Sequence, residues 1–107
     1  MHFIKSEQDF QVLLVQWFVN SEANAETIDL LKKQHFKIRQ MVARHPCVNS
    51  KILKGLHKDN SYRVRQAVCR NTNTEIEVLK KIMQEDKDIG IQRFAKRMLD
   101  GRNSWGI

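Results

Sequence analysis

Hydrophobic residues recur along the chain with the spacing of short amphipathic helices. From Ile38, apolar or weakly polar residues follow at the third, fourth and seventh positions, which lie on one helix face. The same spacing starts again at Val64 and at Ile91. A second pattern of spaced leucines and isoleucines lies between these segments, and no strand-like alternation competes with it. The pattern therefore predicts an all-helical chain.

These patterns belong to an internal repeat of about 26 residues. The phrase "IRQMVARHP" from Ile38 corresponds to "VRQAVCRNT" from Val64. A third copy starts at Ile91, offset by 27 residues because one extra residue enters near Glu85–Asp88. Each copy holds two helices that are too short to be stable alone. Stacking of successive pairs must therefore bury their apolar faces.

Several residues mark the predicted helix ends. Asn49 can cap one short helix, and Thr74 with Glu77 forms the T-x-x-E pattern of a capping box for the next. Pro46 lies where the preceding helix must stop. A further helix, rich in apolar residues, is predicted over about residues 7–20.

The segment "LKGLHKDNSYRVRQAV" resembles the HEAT repeat. It contains the spaced leucines, the aspartate and the Val-Arg pair of that repeat: Leu53, Leu56, Asp59, Val64 and Arg65. The phrase from Ile38 to Pro46 also resembles the leucine-rich repeat variant, which ends its Val-Arg helix with an Asn-Pro-like turn. The resemblance covers about residues 25–99 and implies an α-solenoid, a fold that supports many functions.

The fold prediction is accordingly all-α, a short right-handed α-solenoid of about three helix pairs plus an N-terminal capping helix. We expect residues 1–107 to form a single domain. Within it we expect the capping helix at 1–21, three helical-hairpin repeats at 25–99, and a flexible tail at 100–107.

The sequence departs from the HEAT pattern at two positions. The aspartate position of the first copy holds Lys33 or Gln34, and the arginine position of the third holds Gln92. An Asp–Arg ladder between repeats, as the resemblance implies, therefore cannot be complete. The resemblance gives Arg39, Asp59 and Arg65 a structural role, in which carboxylates or carbonyls hold the arginines.

Positive charge is concentrated over the repeats. Residues 1–30 hold one lysine and five acids, whereas residues 31–74 hold eleven Lys or Arg and one acid. Residues 75–107 hold seven Lys or Arg and six acids, and the whole chain has a net charge of +7. A field of this sign attracts an acidic partner.

On a helical wheel, one side of each Val-Arg helix opposes the apolar side and carries cations. The predicted basic face consists of Lys37, Gln40, Arg44, Arg63, Gln66, Arg70, Arg93 and Arg97. Arg44, Arg70 and Arg97 occupy equivalent positions, so we expect a row of cations suited to a phosphate backbone. A row that only solubilises the surface is the alternative. A secondary basic face is predicted at Lys51, Lys54, Lys58, Lys80 and Lys81.

Catalytic chemistry has little support in the sequence. The pair His45 and Cys47 is too small for zinc, which needs about four ligands, and there is no Gly-rich phosphate loop. Cys69 aligns with Ala43 and is interpreted as a packed residue. We therefore predict no enzyme activity, no catalytic or metal-binding residues, no cofactor and no small-molecule substrate.

The predicted function is a non-enzymatic binding module for an acidic macromolecule, with nucleic acid as the first candidate. The alternative is a protein–protein adaptor or inhibitor that uses the concave face implied by the resemblance. No apolar run reaches the ~20 residues of a membrane helix, and two cysteines do not make a disulfide framework. We therefore expect a cytoplasmic protein without membrane contact, and its oligomeric state is open.

Overall fold

Seven helices and no strand make up residues 7–103, the part of the chain that the computed structural model describes. The helices are α1 (Glu7–Asn20), α2 (Ala25–Lys32), α3 (Phe36–Arg44), α4 (Ser50–Leu56), α5 (Tyr62–Arg70), α6 (Ile76–Glu85) and α7 (Ile89–Asn103). The prediction of an all-α fold is thus confirmed. Among these described helices, none is long and apolar enough to cross a membrane.

The helix boundaries follow the sequence signals in part. The side chain of Asn49 accepts the Lys51 N–H at 2.8 Å and begins α4 as predicted, and α3 ends at Arg44, shortly before Pro46. The capping box at Thr74 is wrong. Glu75 is the N-cap residue of α6, and the Thr74 hydroxyl instead donates to the Val68 carbonyl at 2.6 Å. Thr74 is buried there, so it joins the turn to the end of α5.

The predicted tail at 100–107 is wrong over its first residues. Helix α7 continues without a break to Asn103, although Gly101 interrupts its apolar pattern. A Cβ added at Gly101 would have open space around it within 4 Å. Residues 104–107, with Trp105, lie outside the described residues.

The odd-numbered helices form one row, in which α1 contacts α3, α3 contacts α5, and α5 contacts α7. Helix α2 packs on α3 and α4, helix α4 packs on α3 and α5, and α6 packs on α7. A continuous core of buried residues extends from Val15 in α1 to Leu99 in α7. The molecule measures 50 × 29 × 24 Å along its principal axes, so it is longer in one direction than in the other two.

The internal repeat reappears as equivalent buried positions. Helix α3 buries Ile38, Val42 and Ala43, and α5 buries the residues 26 positions later, Val64, Val68 and Cys69. Each of these six side chains is at most 5% exposed. Most of the repeated sequence is therefore a scaffold, which leaves its exposed positions as candidates for function.

Side-chain amides join one turn to the next. The Asn71 Nδ2 group donates to the carbonyls of Ala43 and His45 at 2.8 and 2.9 Å. Asn73 Nδ2 donates in the same way to the carbonyls of Pro46 and Val48. These bonds satisfy carbonyls at the end of α3 and in the loop that follows it. They also fix the position of α5 relative to α3.

Candidate nucleic-acid interface

Arg65 is buried in the fold, and Arg39 is partly buried. Arg65 is 3% exposed, and its Nε donates to Asp86 Oδ2 at 2.9 Å. Its Nη1 donates to the Asp59 carbonyl at 2.7 Å. Arg39 forms the equivalent ion pair with Asp59 and donates to the Gln34 carbonyl. Both guanidinium groups are thus occupied by the carboxylate and carbonyl partners that a structural role requires.

The ladder of these contacts is incomplete at the positions where the sequence departs from the HEAT pattern. In the third repeat, Gln92 stands at the arginine position, and its Nε2 donates to the Asp86 carbonyl at 2.5 Å. The amide thus keeps the carbonyl contact of Arg39 and Arg65 without a charge. In the first repeat, Gln34 supplies a carbonyl to Arg39 but no carboxylate.

The predicted basic face is exposed at every cationic position. The exposed cations are Lys37, Arg44, Arg63, Arg70, Arg93 and Arg97, and the two amides Gln40 and Gln66 are half-buried beside them. Within residues 7–103, none of these six cations takes part in an ion pair. Their charge is therefore directed to solvent and is free to meet an anion.

Two of the three arginines of the predicted row lie together. Arg70 from α5 and Arg97 from α7 line one open cleft of about 300 Å³, together with Thr72 and Arg102. The remaining described lining residues are Cys69, Met98 and Gly101, so none of them carries a negative charge. We call this the α5–α7 cleft. Its lining combines three guanidinium groups with a hydroxyl, a composition suited to a phosphate.

The guanidinium group of Arg70 also faces an aromatic ring. Its Cζ lies 5.9 Å from the centroid of the Phe94 ring, within the range of a cation–π contact. Phe94 belongs to α7 and packs partly against the core. This contact places the arginine of α5 over a side chain of α7.

Sequence reasoning missed Arg102, because it placed the end of the helix before this residue. The Nη2 group of Arg102 donates to the Asn71 carbonyl at 2.9 Å, and Nη1 donates to the Thr74 carbonyl. The half-buried guanidinium thus joins α7 to the turn after α5. One signal was available, since Arg102 follows Met98 by four residues and continues its helix face.

Arg44, the third arginine of the predicted row, lines a different groove. This groove lies between α1 and α3 and is also lined by Val12, Gln16 and His45. The groove measures about 370 Å³, and no described lining residue is acidic. Two of the three cations of the expected row thus share the α5–α7 cleft, and the third lines a groove beside α1.

Lysines of the secondary basic face lie on α4 and α6 and in the turn after α4. Lys51, Lys54, Lys58, Lys80 and Lys81 are all exposed. Acids accompany several of them, because Lys80 lies 3.6 Å from Glu77 and Lys81 lines a cleft with Glu85 and Asp86. Nearby carboxylates weaken the attraction of this face for an anion, which favours the α5–α7 cleft.

Cys69 takes part in packing, and His45 and Cys47 take part in a turn. Burial, followed by the nearby Asp86 carboxylate, raises the pKa of the Cys69 thiol to about 12, so it is protonated at neutral pH. His45 Nδ1 accepts the Cys47 N–H at 3.0 Å within the turn after α3. Across the described residues, no three His, Cys, Asp or Glu side chains are grouped to hold a metal ion.

Comparison with protein-family models, with curated proteins and with solved structures found no match to this chain.

Proposed function

We propose that this protein is a small non-enzymatic α-solenoid that binds the phosphate backbone of a nucleic acid in the cytoplasm. The array consists of three right-handed helix pairs, with α1 at one end of the row of odd-numbered helices. The consecutive contacts of that row and the 26-residue repeat of its buried positions support this arrangement.

The observation that carries the binding proposal is the α5–α7 cleft. Arg70 and Arg97 come from neighbouring helices and line the same cleft. The described residues that line this cleft include no carboxylate. A guanidinium pair of this kind can donate several charge-assisted hydrogen bonds to one phosphate group. Further exposed cations on the same set of helices, including Lys37, Arg63 and Arg93, can contact neighbouring phosphates.

Contacts to phosphate carry no direct information on base sequence. We therefore expect binding that depends steeply on salt and only weakly on sequence. Each phosphate contact contributes a slope of about −0.9 to the dependence of log K on log salt for duplex DNA. A free thiol at Cys47, which is exposed, suits the reducing conditions of the proposed compartment.

Fluorescence anisotropy with labelled single-stranded DNA, RNA and duplex DNA tests the proposal across about 50 to 200 mM salt. The double variant Arg70→Glu/Arg97→Glu removes the cations of the cleft, and Lys51→Glu/Lys54→Glu makes the same change of charge on α4. We expect the cleft variant to lose about 50-fold or more in affinity, and the α4 variant to lose much less.

Two results would contradict the proposal. Equal losses of affinity in both double variants would show that binding depends on the net charge of the protein and not on a particular site. The absence of any shift by the wild-type protein at about 50 mM salt would exclude nucleic acid as the partner. It would leave the adaptor function, in which the basic face meets an acidic protein.

A further inference from the structure

An exposed apolar stripe runs along α1 on the side away from its buried residues. Phe10, Leu13 and Trp17 follow one another at helical spacings of three and four, and they are 51, 56 and 51% exposed. The opposite side of α1 buries Val15, Phe18 and Val19. We call these three exposed residues the α1 stripe.

The stripe rests on the core. The Trp17 ring meets the ring of buried Phe18 edge to face, with centroids 5.0 Å apart. Leu14, half-buried, lies beside the stripe and packs against the core. A partner would therefore meet side chains that are already held in position, which lowers the entropic cost of binding.

The stripe is also free of charge, in a protein with a net charge of +7 and 29% charged residues. No charged residue occurs from Phe10 to Asn20, and the acids of α1 are confined to its first turn, at Glu7 and Asp9. A second copy of the protein can approach this surface without placing like charges against each other.

We infer that α1 is a self-association surface, on which two copies pair about a two-fold axis near Leu13. The two α1 helices run antiparallel, so that Phe10 of each copy packs against Trp17 of the other. This pairing also aligns the helix dipoles favourably and places the first-turn acids opposite the uncharged end of the partner helix.

The residues at the other end of the row of odd-numbered helices indicate that the α1 stripe packs against a second α1. Helix α7 carries exposed charged residues, including Arg93, Lys96 and Asp100. If α1 packed on α7 of another copy, these groups would lose water without finding partners, which is costly. Of these two pairings, α1 against α1 brings an apolar surface to an apolar surface, and it closes the assembly at two copies.

The area of the stripe sets the expected affinity. Given the areas of aromatic side chains and these exposed fractions, the stripe presents about 300 Å² of apolar surface on each copy. With its polar rim, the paired interface is about 1,000 Å² in total, at the small end of specific interfaces. We therefore expect a reversible dimer with a dissociation constant of about 1–100 µM.

Sedimentation equilibrium over about 0.5 to 300 µM protein, a range that brackets this affinity, tests the inference on wild type and two variants. Leu13→Glu places a charge in the stripe. Val12→Glu is the matched control, because Val12 is 57% exposed on the same helix but lines the groove beside Arg44. We expect wild type and Val12→Glu to dimerise, and Leu13→Glu to stay monomeric. Circular dichroism checks that both variants fold.

A wild-type protein that is monomeric over this whole range would overturn the inference, and the stripe would then be open to a different protein. Dimerisation of Leu13→Glu at the wild-type affinity would also overturn it, because association would then use another surface.

Disulfide cross-linking tests the position of the axis. In a Cys47→Ser background, Leu13→Cys should be oxidised to a covalent dimer, because two residues next to a two-fold axis bring their Cβ atoms close together. Val12→Cys in the same background is the control and should not cross-link. Cross-linking of Val12→Cys in preference to Leu13→Cys would contradict the proposed axis. Buried Cys69 does not interfere.

Discussion

Arg39 and Asp59 lie 20 residues apart and meet in a two-point ion pair. Arg39 Nε is 2.7 Å from Asp59 Oδ2, and Nη2 is 3.0 Å from Oδ1. The same carboxylate accepts the N–H of Ser61 and thereby fixes the start of α5. Arg65 and Asp86 repeat this relationship 21 residues apart, and Asp86 Oδ1 accepts the Asp88 N–H before α7. Each pair therefore ties one helix of the row to the start of the next.

The first prediction concerns the buried ion pair between Arg65 and Asp86. Both side chains are 4% exposed, so Arg65→Ala leaves an uncompensated carboxylate in the interior. We expect the free energy of unfolding in urea to fall by about 3–5 kcal/mol. Lys80→Ala is the control, because its pair with Glu77 is exposed, and it should change stability by less than about 0.5 kcal/mol. Similar effects of the two substitutions would contradict a structural role for Arg65.

The repeat made the scaffold predictable from the sequence. The 3–4 spacing of apolar residues located the helices that begin near Ile38, Val64 and Ile91, because a helix buries one face whatever its neighbours are. The extra residue near Glu85–Asp88 also has a structural counterpart. Helix α6 has ten residues where α4 has seven, and the spacing between arginine and aspartate grows from 20 to 21.

The missed features depend on contacts between distant parts of the chain. Thr74 matches a capping box locally, yet its hydroxyl meets the carbonyl of Val68 because the turn after α5 folds back. Arg102 acquires its role from the carbonyls of Asn71 and Thr74, about 30 residues earlier. Which arginines share a cleft depends equally on how α5 meets α7. The spacing of residues along one helix predicts which of them share a face. It does not predict which residues of other helices that face contacts.

Two glycines in helices should respond to alanine with opposite signs. A Cβ at Gly101 would meet no atom within 4 Å, so Gly101→Ala should gain helix propensity and stabilise the protein by about 0.5–1 kcal/mol. A Cβ at Gly55 would lie 2.9 Å from Cγ2 of Ile28, a branched side chain between α2 and α4. Gly55→Ala should therefore lower the melting temperature. A rise in both variants would contradict the close packing of α2 on α4.

The two cysteines should differ in reactivity with a thiol reagent. Cys47 is exposed, whereas Cys69 is 1% exposed and its pKa is raised to about 12. At pH 8 the native protein should react at one thiol, and Cys47→Ser should abolish this reaction until denaturant is added. Rapid labelling of Cys69 in the native state would contradict its burial.

Burial of Cys69 also predicts a pH dependence of stability. The unfolded thiol releases its proton near its ordinary pKa of 9.0, whereas the folded thiol holds it up to about pH 12. The stabilisation by this group is therefore complete below pH 9 and is lost as the pH rises from 9 towards 12, by about 1 kcal/mol per pH unit. The stability difference between wild type and Cys69→Ala should accordingly shrink between pH 8 and 10.5. A difference that stays constant would contradict the raised pKa.

The division of the arginines between two sites predicts how their contributions to binding combine. Arg70 and Arg97 line one cleft, whereas Arg44 lies beside α1. If the cleft holds a single phosphate, loss of either arginine weakens the contact that the other makes. The affinity loss of Arg70→Ala/Arg97→Ala should then differ from the product of the single losses by a coupling of at least about 0.5 kcal/mol. The losses of Arg44→Ala and Arg97→Ala should multiply, because separate phosphates contribute independently. Fluorescence anisotropy at one fixed salt concentration gives the affinities for both double-mutant cycles. Equal coupling in the two pairs would contradict a shared phosphate in the α5–α7 cleft.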